Sequence, residues 1–301
     1  MTRRLWLAFQ ILLAGLVVIW VANNLASNWI EVRAARQSVH LHPWLLAASA
    51  IVILATYALL VAAWRGVLLG WNERLAYPTA TRIWTVSNLG RYVPGKVWQI
   101  AGMAALAQRA GVSAWAAAGS AVIVQLLAVA TGTLITVLFA AQAQHAAAII
   151  TAGLVAVGAI GALAVERPTA IATAVLRRLS GRSWELRAVR KGPLVVSAAI
   201  TLFSWIAYGL MLYLFIRGLL GVEVPLGVAI GAFTASYLLG LIAVFAPGGV
   251  GVRDFALYAL LSGPVGPGGA IVVSFGSRIL MTVTELLAAA VSLLLTHRRS
   301  A

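Results

Sequence analysis

Six stretches of this sequence, residues 5–26, 44–64, 114–140, 146–165, 193–216 and 227–246, contain no Asp, Glu, Lys or Arg. Each is near or above the roughly 20 residues that carry a helix across the hydrocarbon core of a bilayer. In lipid such runs must be helical, because every backbone N–H and C=O needs an internal partner. The chain of 301 residues is 62% apolar and only 10% charged, with a mean hydropathy of +0.98. It has too few polar residues to coat a soluble core, since soluble domains carry about 25% charged residues. The expected fold is all-α: a polytopic helical membrane protein of seven to eight spans, forming one transmembrane domain over residues 1–301. The first run follows the basic residues Arg3 and Arg4 as a signal peptide would. Its apolar stretch is much longer than the roughly 7–15 residues of a signal, so an uncleaved anchor is expected.

The formal charge of +15 comes from 22 basic and 7 acidic residues. In a soluble chain that excess would suggest nucleic acid. Here the basic residues sit mostly between apolar runs, so no nucleic-acid partner is expected. Residues 166–192, the longest polar segment, hold seven of them. Basic residues stay on the cytoplasmic side. Placing that loop inside also places residues 1–4 and 65–82 inside, and these regions together hold 12 basic residues. The opposite loops hold three, Arg33, Arg36 and Arg217. A multi-pass inner-membrane protein with a cytoplasmic N-terminus follows. There is no cysteine, which excludes disulfides and thiolate metal sites. The four histidines lie near span ends without metal-site spacing, so no metal and no cofactor are expected.

Two stretches do not read as ordinary spans: Ser-Asn-Leu-Gly-Arg-Tyr-Val-Pro-Gly-Lys-Val-Trp at 87–98, and Phe-Ala-Pro-Gly-Gly-Val-Gly-Val-Arg-Asp at 245–254. Proline removes a backbone donor and clashes with the preceding turn, while glycine accepts φ values other residues avoid. Helices should therefore stop at Pro94 and at Pro247. Irregular backbone at membrane depth survives only against protein or a water-filled cavity. Both motifs are accordingly expected as re-entrant or broken helices. The two prolines stand 153 residues apart, about half the chain. Paired interruptions in the two halves point to a transporter's binding site and to an inverted repeat.

Arg91, Lys96, Arg253, Asp254, Arg278 and Glu285 lie in or beside apolar segments. Each costs roughly 2.5–3.5 kcal/mol at a helix centre on insertion scales. Four are basic and two acidic, so complete mutual pairing is impossible and the surplus must face water, carbonyls or an anion. Arg91 and Lys96 have the alternative of snorkelling to the interface. Asp254 has that of capping a helix N-terminus. Arg278 and Glu285, seven residues apart, share a helix face but sit about 10 Å from each other by helix rise, too far for direct pairing. Each then needs a partner on another element. Gly248, Gly249 and Gly251 can expose backbone N–H groups as an anion-binding nest ahead of a helix. A carboxylate base could be built from Asp254 or Glu285, but no second group stands at a telling spacing, so no catalytic residue is assigned.

The two motifs, with Arg109-Ala110-Gly111-Val112 after the first, resemble the lysylphosphatidylglycerol synthase transmembrane family, whose stand-alone members are flippase-like membrane proteins. The matching positions are Pro94, Gly95 and Trp98 in the first element and Pro247, Gly248, Gly249, Gly251 and Arg253 in the second. The family carries Glu after that arginine where this chain has the shorter Asp254, and an arginine in its last long helix is similar to Arg278. The resemblance implies a lipid-translocating helical domain without the aminoacyltransferase part of the bifunctional relatives, so catalysis is less expected than transport. The implied partner is a membrane lipid: a phospholipid, polyprenyl-phosphate, glycolipid or hopanoid-type molecule. The expected substrate-binding residues are Asn88, Arg91, Pro94, Gly95, Lys96, Trp98, Pro247, Gly248, Gly249, Gly251, Arg253, Asp254, Arg278 and Glu285. Two alternatives stand beside transport: a membrane-embedded glycosyl- or acyl-transferase, and a non-transporting accessory subunit of a lipid or glycan pathway.

Overall fold

A computed structural model describes residues 41–92, 97–140, 168–180, 187–243 and 246–297. The expected spans at 5–26 and 146–165 lie outside them. The described residues form helices joined by short turns, with no strand. Eight α-helices follow one another: α1 (Pro43–Gly70), α2 (Tyr77–Asn88), α3 (Val97–Arg109), α4 (Ala114–Ala140), α5 (Pro168–Ser180), α6 (Lys191–Leu220), α7 (Leu226–Ile242) and α8 (Val252–His297). Four of these, α1, α4, α6 and α8, are long and apolar enough to cross a bilayer, and α7 is a shorter apolar helix. The chain is a multi-pass helical membrane protein.

The long helices form the frame. α1 and α6 run antiparallel along their whole length. The His42 N–H donates to the Gly218 carbonyl at one end (2.9 Å), and the Arg190 N–H donates to the Gly70 carbonyl at the other (3.1 Å). At the second end the Trp71 indole donates to the Arg187 carbonyl, and the Ser113 hydroxyl at the start of α4 donates to Glu73. α6 closes at Gly221 with φ of 65°, a glycine C-terminal cap of the left-handed kind. α7 returns antiparallel to α6 through a contact so close that a Cβ on Gly209 would come within 2.5 Å of the Ile230 backbone. Buried polar groups in the frame find local partners: the Trp64 indole donates to Ser120 (3.0 Å) and the Trp205 indole to Thr131 (3.2 Å).

The two interrupted motifs are helical hairpins. α2 ends at Asn88, a 3-10 turn spans Leu89–Tyr92, and α3 leaves from Val97. Gly90 lies against Trp98 and Gln99, and Gly102 against Ser87, which fixes the two arms as antiparallel. Arms of 12 and 13 residues are about 18–20 Å long, too short to cross. In the second motif α7 ends at Ile242, a 3-10 turn spans Pro247–Gly249, and the first arm of α8 departs from Val252. That arm turns back at Gly266 (φ 74°, ψ 160°), between Pro264 and Pro267. The Ser274 hydroxyl on the second arm donates to the Asp254 carbonyl on the first (2.8 Å).

Two expectations about local structure are corrected. Both regular helices stop before the prolines, at Asn88 and Ile242, because the backbone has tightened into 3-10 or irregular conformation ahead of them. The residue before a proline is itself pushed away from helical φ/ψ, which moves the break upstream. Also, the basic segment 166–192 is not all loop. It contains α5, whose Ala172 and Leu176, four residues apart, pack with Val67, Val122 and Leu127. Pro168 opens this helix with a φ already suited to a first turn.

Candidate functional site

The hairpin tips meet near the middle of the frame. Thr284 on the second arm of α8 lies 3.4 Å from the hydroxyl of Tyr57, which stands near the midpoint of α1. The first hairpin enters from the end bearing Gly70, Ser113 and Arg190. The second enters from the opposite end, where Gly269 approaches Leu220. A Cβ on Gly248 would sit 3.4 Å from the Tyr92 ring, so the turns touch tip to tip. Close backbone approach makes the second tip: a Cβ on Gly249, whose φ is +69°, would lie 2.9 Å from the Gly240 Cα.

The charged groups converge here. Glu285, 3% exposed, forms an ion pair with Arg91 and accepts a hydrogen bond from the Tyr92 hydroxyl (2.7 Å). Arg91 also donates to the Tyr237 hydroxyl (3.0 Å). Arg278 donates from Nε to Asp254 Oδ1 (2.7 Å), and its Nη1 lies 3.5 Å from the Gly248 carbonyl. Each member of the Arg278–Glu285 couple thus has its partner on another part of the fold, as their separation required. The pairs Arg91–Glu285 and Arg278–Asp254 cancel in charge.

Arg253 is left over. It is 7% exposed and forms no ion pair among the described residues. Its Nη2 faces the Met281 sulfur at 3.0 Å, and its guanidinium carbon sits 5.2 Å from the Phe233 ring centroid and 5.6 Å from that of Tyr237. Aromatic faces attract a cation but leave N–H donors unused. Arg253 Nε and Arg278 Nη2 are both buried without a hydrogen-bond acceptor among the described residues. Both arginines also line a cavity.

A cavity of about 310 Å³ opens beside them. Its walls are Arg91 and Tyr92 from the first tip, Gln99 and Ile100 from α3, Gln125 and Val129 from α4, and Tyr237, Gly240, Leu241 and Ile242 from α7. Gly248, Gly249 and Arg253 from the second tip, with Arg278, Met281 and Thr282, complete it. Tyr92 and Ile242, at its wall, are among the exposed large side chains. A smaller chamber of about 70 Å³ adjoins it and shares Arg91, Gln99, Ile100, Gln125 and Tyr237 with it as a partition.

Among the expected site residues, Arg91, Gly248, Gly249, Arg253 and Arg278 line the larger cavity, and Asn88 lines the smaller. Asp254 and Glu285 stand one layer behind, holding arginines in place. Trp98 is 54% exposed and forms no part of either wall. Pro247 opens the 3-10 turn of the second tip, while Pro94, Gly95 and Lys96 lie outside the described residues. The glycine nest is corrected. The Gly249 N–H donates to the Ala246 carbonyl (3.0 Å), and the Gly251 N–H donates to Asp254 Oδ2 (3.0 Å). The chain's own Asp254 carboxylate thus accepts from one of the backbone groups expected to face a bound anion. Tyr237, Tyr92, Gln99, Gln125 and Met281 were not anticipated. The amide of Gln125, midway along a span without any charge, is the sequence signal for one of them. No group of three or more metal-ligating side chains occurs among the described residues.

A search of curated proteins finds no match to the chain. The model of the lysylphosphatidylglycerol synthase TM region matches residues 7–289, a stretch that takes in both hairpins and every charged group of the site. The chain belongs to the lysylphosphatidylglycerol synthase TM region family, a family of lipid-related membrane proteins.

Proposed function

We propose that the chain is a lipid translocase that carries an anionic, phosphate-bearing lipid between leaflets. One observation carries this reading: Arg253 is buried against aromatic rings and forms no ion pair among the described residues. Burying such a charge costs about 2.5–3.5 kcal/mol or more, a cost that a visiting anion offsets. The headgroup sits in the 310 Å³ cavity against Arg253 and Arg278, whose guanidinium groups suit phosphate oxygens. The acyl tails stay in the bilayer, past Tyr92 and Ile242.

The architecture supports alternating access. Two hairpins entering from opposite ends touch at their tips, and relative rocking of two such halves opens a central site first to one side and then to the other. Among the described residues, Arg65, Arg74, Arg82, Arg109, Arg177, Arg178, Arg187, Arg190 and Lys191 gather at the end from which the first hairpin enters. The other end holds Arg217, paired with Glu223. Basic residues favour the cytoplasmic face, which supports an inner-membrane orientation with that end, and the N-terminus, in the cytoplasm. A transferase would need a free carboxylate base at the cavity, whereas Asp254 and Glu285 are both held by arginines.

The test is leaflet exchange in vesicles. The purified chain is reconstituted with a fluorescent phosphatidylglycerol, and the fraction protected from a membrane-impermeant quencher is followed with time. Exchange well above that of protein-free vesicles, with the lipid recovered chemically intact, is the expected result. A chemically altered lipid would establish the enzyme instead, and absence of exchange would leave the accessory role.

A further inference from the structure

Resting on the translocation reading, we infer that Glu285 is a proton-binding site: it is ionised while the first tip touches α8 and carries a proton when the two part, so that each opening of the cavity takes up one proton. The two carboxylates of the site are held in different ways. Asp254 accepts from Arg278 and from the Gly251 N–H, which lie on α8 and on the turn that leads into it. Its shell stays whole when the hairpin tips move apart. Glu285 is buried on α8, yet the partners the structure gives it, Arg91 and the Tyr92 hydroxyl, both belong to the turn at the first tip.

Separation of the tip from α8 removes both donors in one movement. A carboxylate left in an apolar interior without partners neutralises by taking a proton, because burying the bare charge costs far more. The groups around it are otherwise engaged. On α8 itself, Arg278 is paired with Asp254. Arg253 lies one turn away at Met281, where the cargo anion binds it in the translocation reading. Tyr57 of α1 meets α8 at Thr284 and at the Met281 carbonyl, and Thr85 of α2 meets it at Ser292. Tyr237 of α7 accepts from Arg91.

Tyr92 supplies the route for the proton. It lines the larger cavity, and its hydroxyl donates to Glu285 (2.7 Å) and lies 3.2 Å from the hydroxyl of Thr282, another residue of the wall. The Tyr92 hydroxyl passes its proton to the carboxylate and takes one from water in the cavity, so Glu285 gains one proton and Tyr92 is unchanged. Arg91, released from Glu285, then lines the cavity with its charge uncompensated. The open state therefore holds an anion more firmly than the closed state, and anion and proton enter together. Acid favours separation of the tip from α8 and base favours contact, so a proton gradient biases the cycle.

Conformation, rather than transport, makes the test. The chain has no cysteine, so two spin labels can be attached through Ala101→Cys on α3 and Ile279→Cys on α8, both exposed positions. The distance between them is measured by pulsed electron paramagnetic resonance in phosphatidylcholine nanodiscs, from about pH 9 to about pH 5, a span that covers buried carboxylates. We expect a longer distance to grow in as pH falls, following a one-proton titration. Glu285→Gln, an uncharged stand-in for the protonated side chain, should show the longer distance at every pH. Tyr92→Phe removes one donor to the ionised carboxylate and keeps Arg91, so it should raise the midpoint by about one pH unit, the worth of a hydrogen bond to a charge. It decides alone if the glutamine variant does not fold. An unmodified chain whose distance ignores pH, a glutamine variant that still titrates, or a phenylalanine variant with an unmoved midpoint would overturn the inference. These distances are read without any exchange assay, so failure of transport and failure of proton binding are told apart.

Discussion

The arginines of the site have different fates, and the difference is a matter of one partner each. Arg278 meets Asp254 across the hairpin that turns at Gly266, and Arg91 meets Glu285 across the two halves. Removing one member of such a buried pair leaves an uncompensated charge and costs about 3–5 kcal/mol, while neutralising both is far milder. Asp254→Asn should therefore lower the unfolding temperature of the detergent-solubilised protein sharply, and Asp254→Asn with Arg278→Gln should recover most of the loss, as read by a thermal melt of each variant. Asp254 also accepts from the Gly251 N–H, so a small deficit remains in the double variant. Which ionisable residues matter was legible in the sequence, because a charge inside an apolar run is conspicuous. Which of them pair was not, since Arg91 and Glu285 are 194 positions apart and nothing local specifies their meeting. Tyr237 stayed hidden for the same reason: a tyrosine in an apolar helix gives no sign of facing two guanidinium groups.

Helices and turns obey local chemistry more openly. Pro-Gly in the first motif and Pro-Gly-Gly in the second announced breaks, and both hairpins are present. What sequence could not show is where tightening begins, because the turns are set by tip-to-tip contact. Gly249 has a positive φ and no room for a Cβ against Gly240. Gly249→Val should separate α7 from the start of α8, displacing Arg253 from its aromatic neighbours. The expected outcome is a loss of several degrees in unfolding temperature together with loss of lipid binding. Gly111→Ala makes the control, since it also alters a glycine of positive φ but meets no neighbouring atom within 4 Å. It should cost the left-handed strain alone, about 1 kcal/mol, and leave binding intact. The helix α5 escaped notice because it lies in a segment dominated by basic residues, while Ala172, Val175 and Leu176 supply its packed face.

At the scale of the molecule, the fold is a frame of antiparallel long helices that fixes two opposed hairpins at mid-depth. The helical class and the half-chain spacing of the breaks were visible in hydropathy and in the positions of two prolines. The opposed directions of the hairpins were not, because direction depends on which helices flank each one. Absence of cysteine makes the orientation testable one position at a time. A single cysteine replacing Asn72 or Ala110 should react with an impermeant maleimide only after cells are opened, whereas one replacing Val222 should react on intact cells. The reverse pattern would invert the orientation.

The central claim is that Arg253 is kept buried without an ion-pair partner among the described residues because an anionic headgroup completes its shell. Leaflet exchange of labelled phosphatidylglycerol and labelled phosphatidylcholine, measured side by side for the unmodified chain and for Arg253→Met, tests it most directly. The account predicts exchange of the anionic lipid at least tenfold above the zwitterionic one, falling to the protein-free rate in a variant whose unfolding temperature is unchanged or raised. Equal exchange of the anionic lipid by the methionine variant would contradict it.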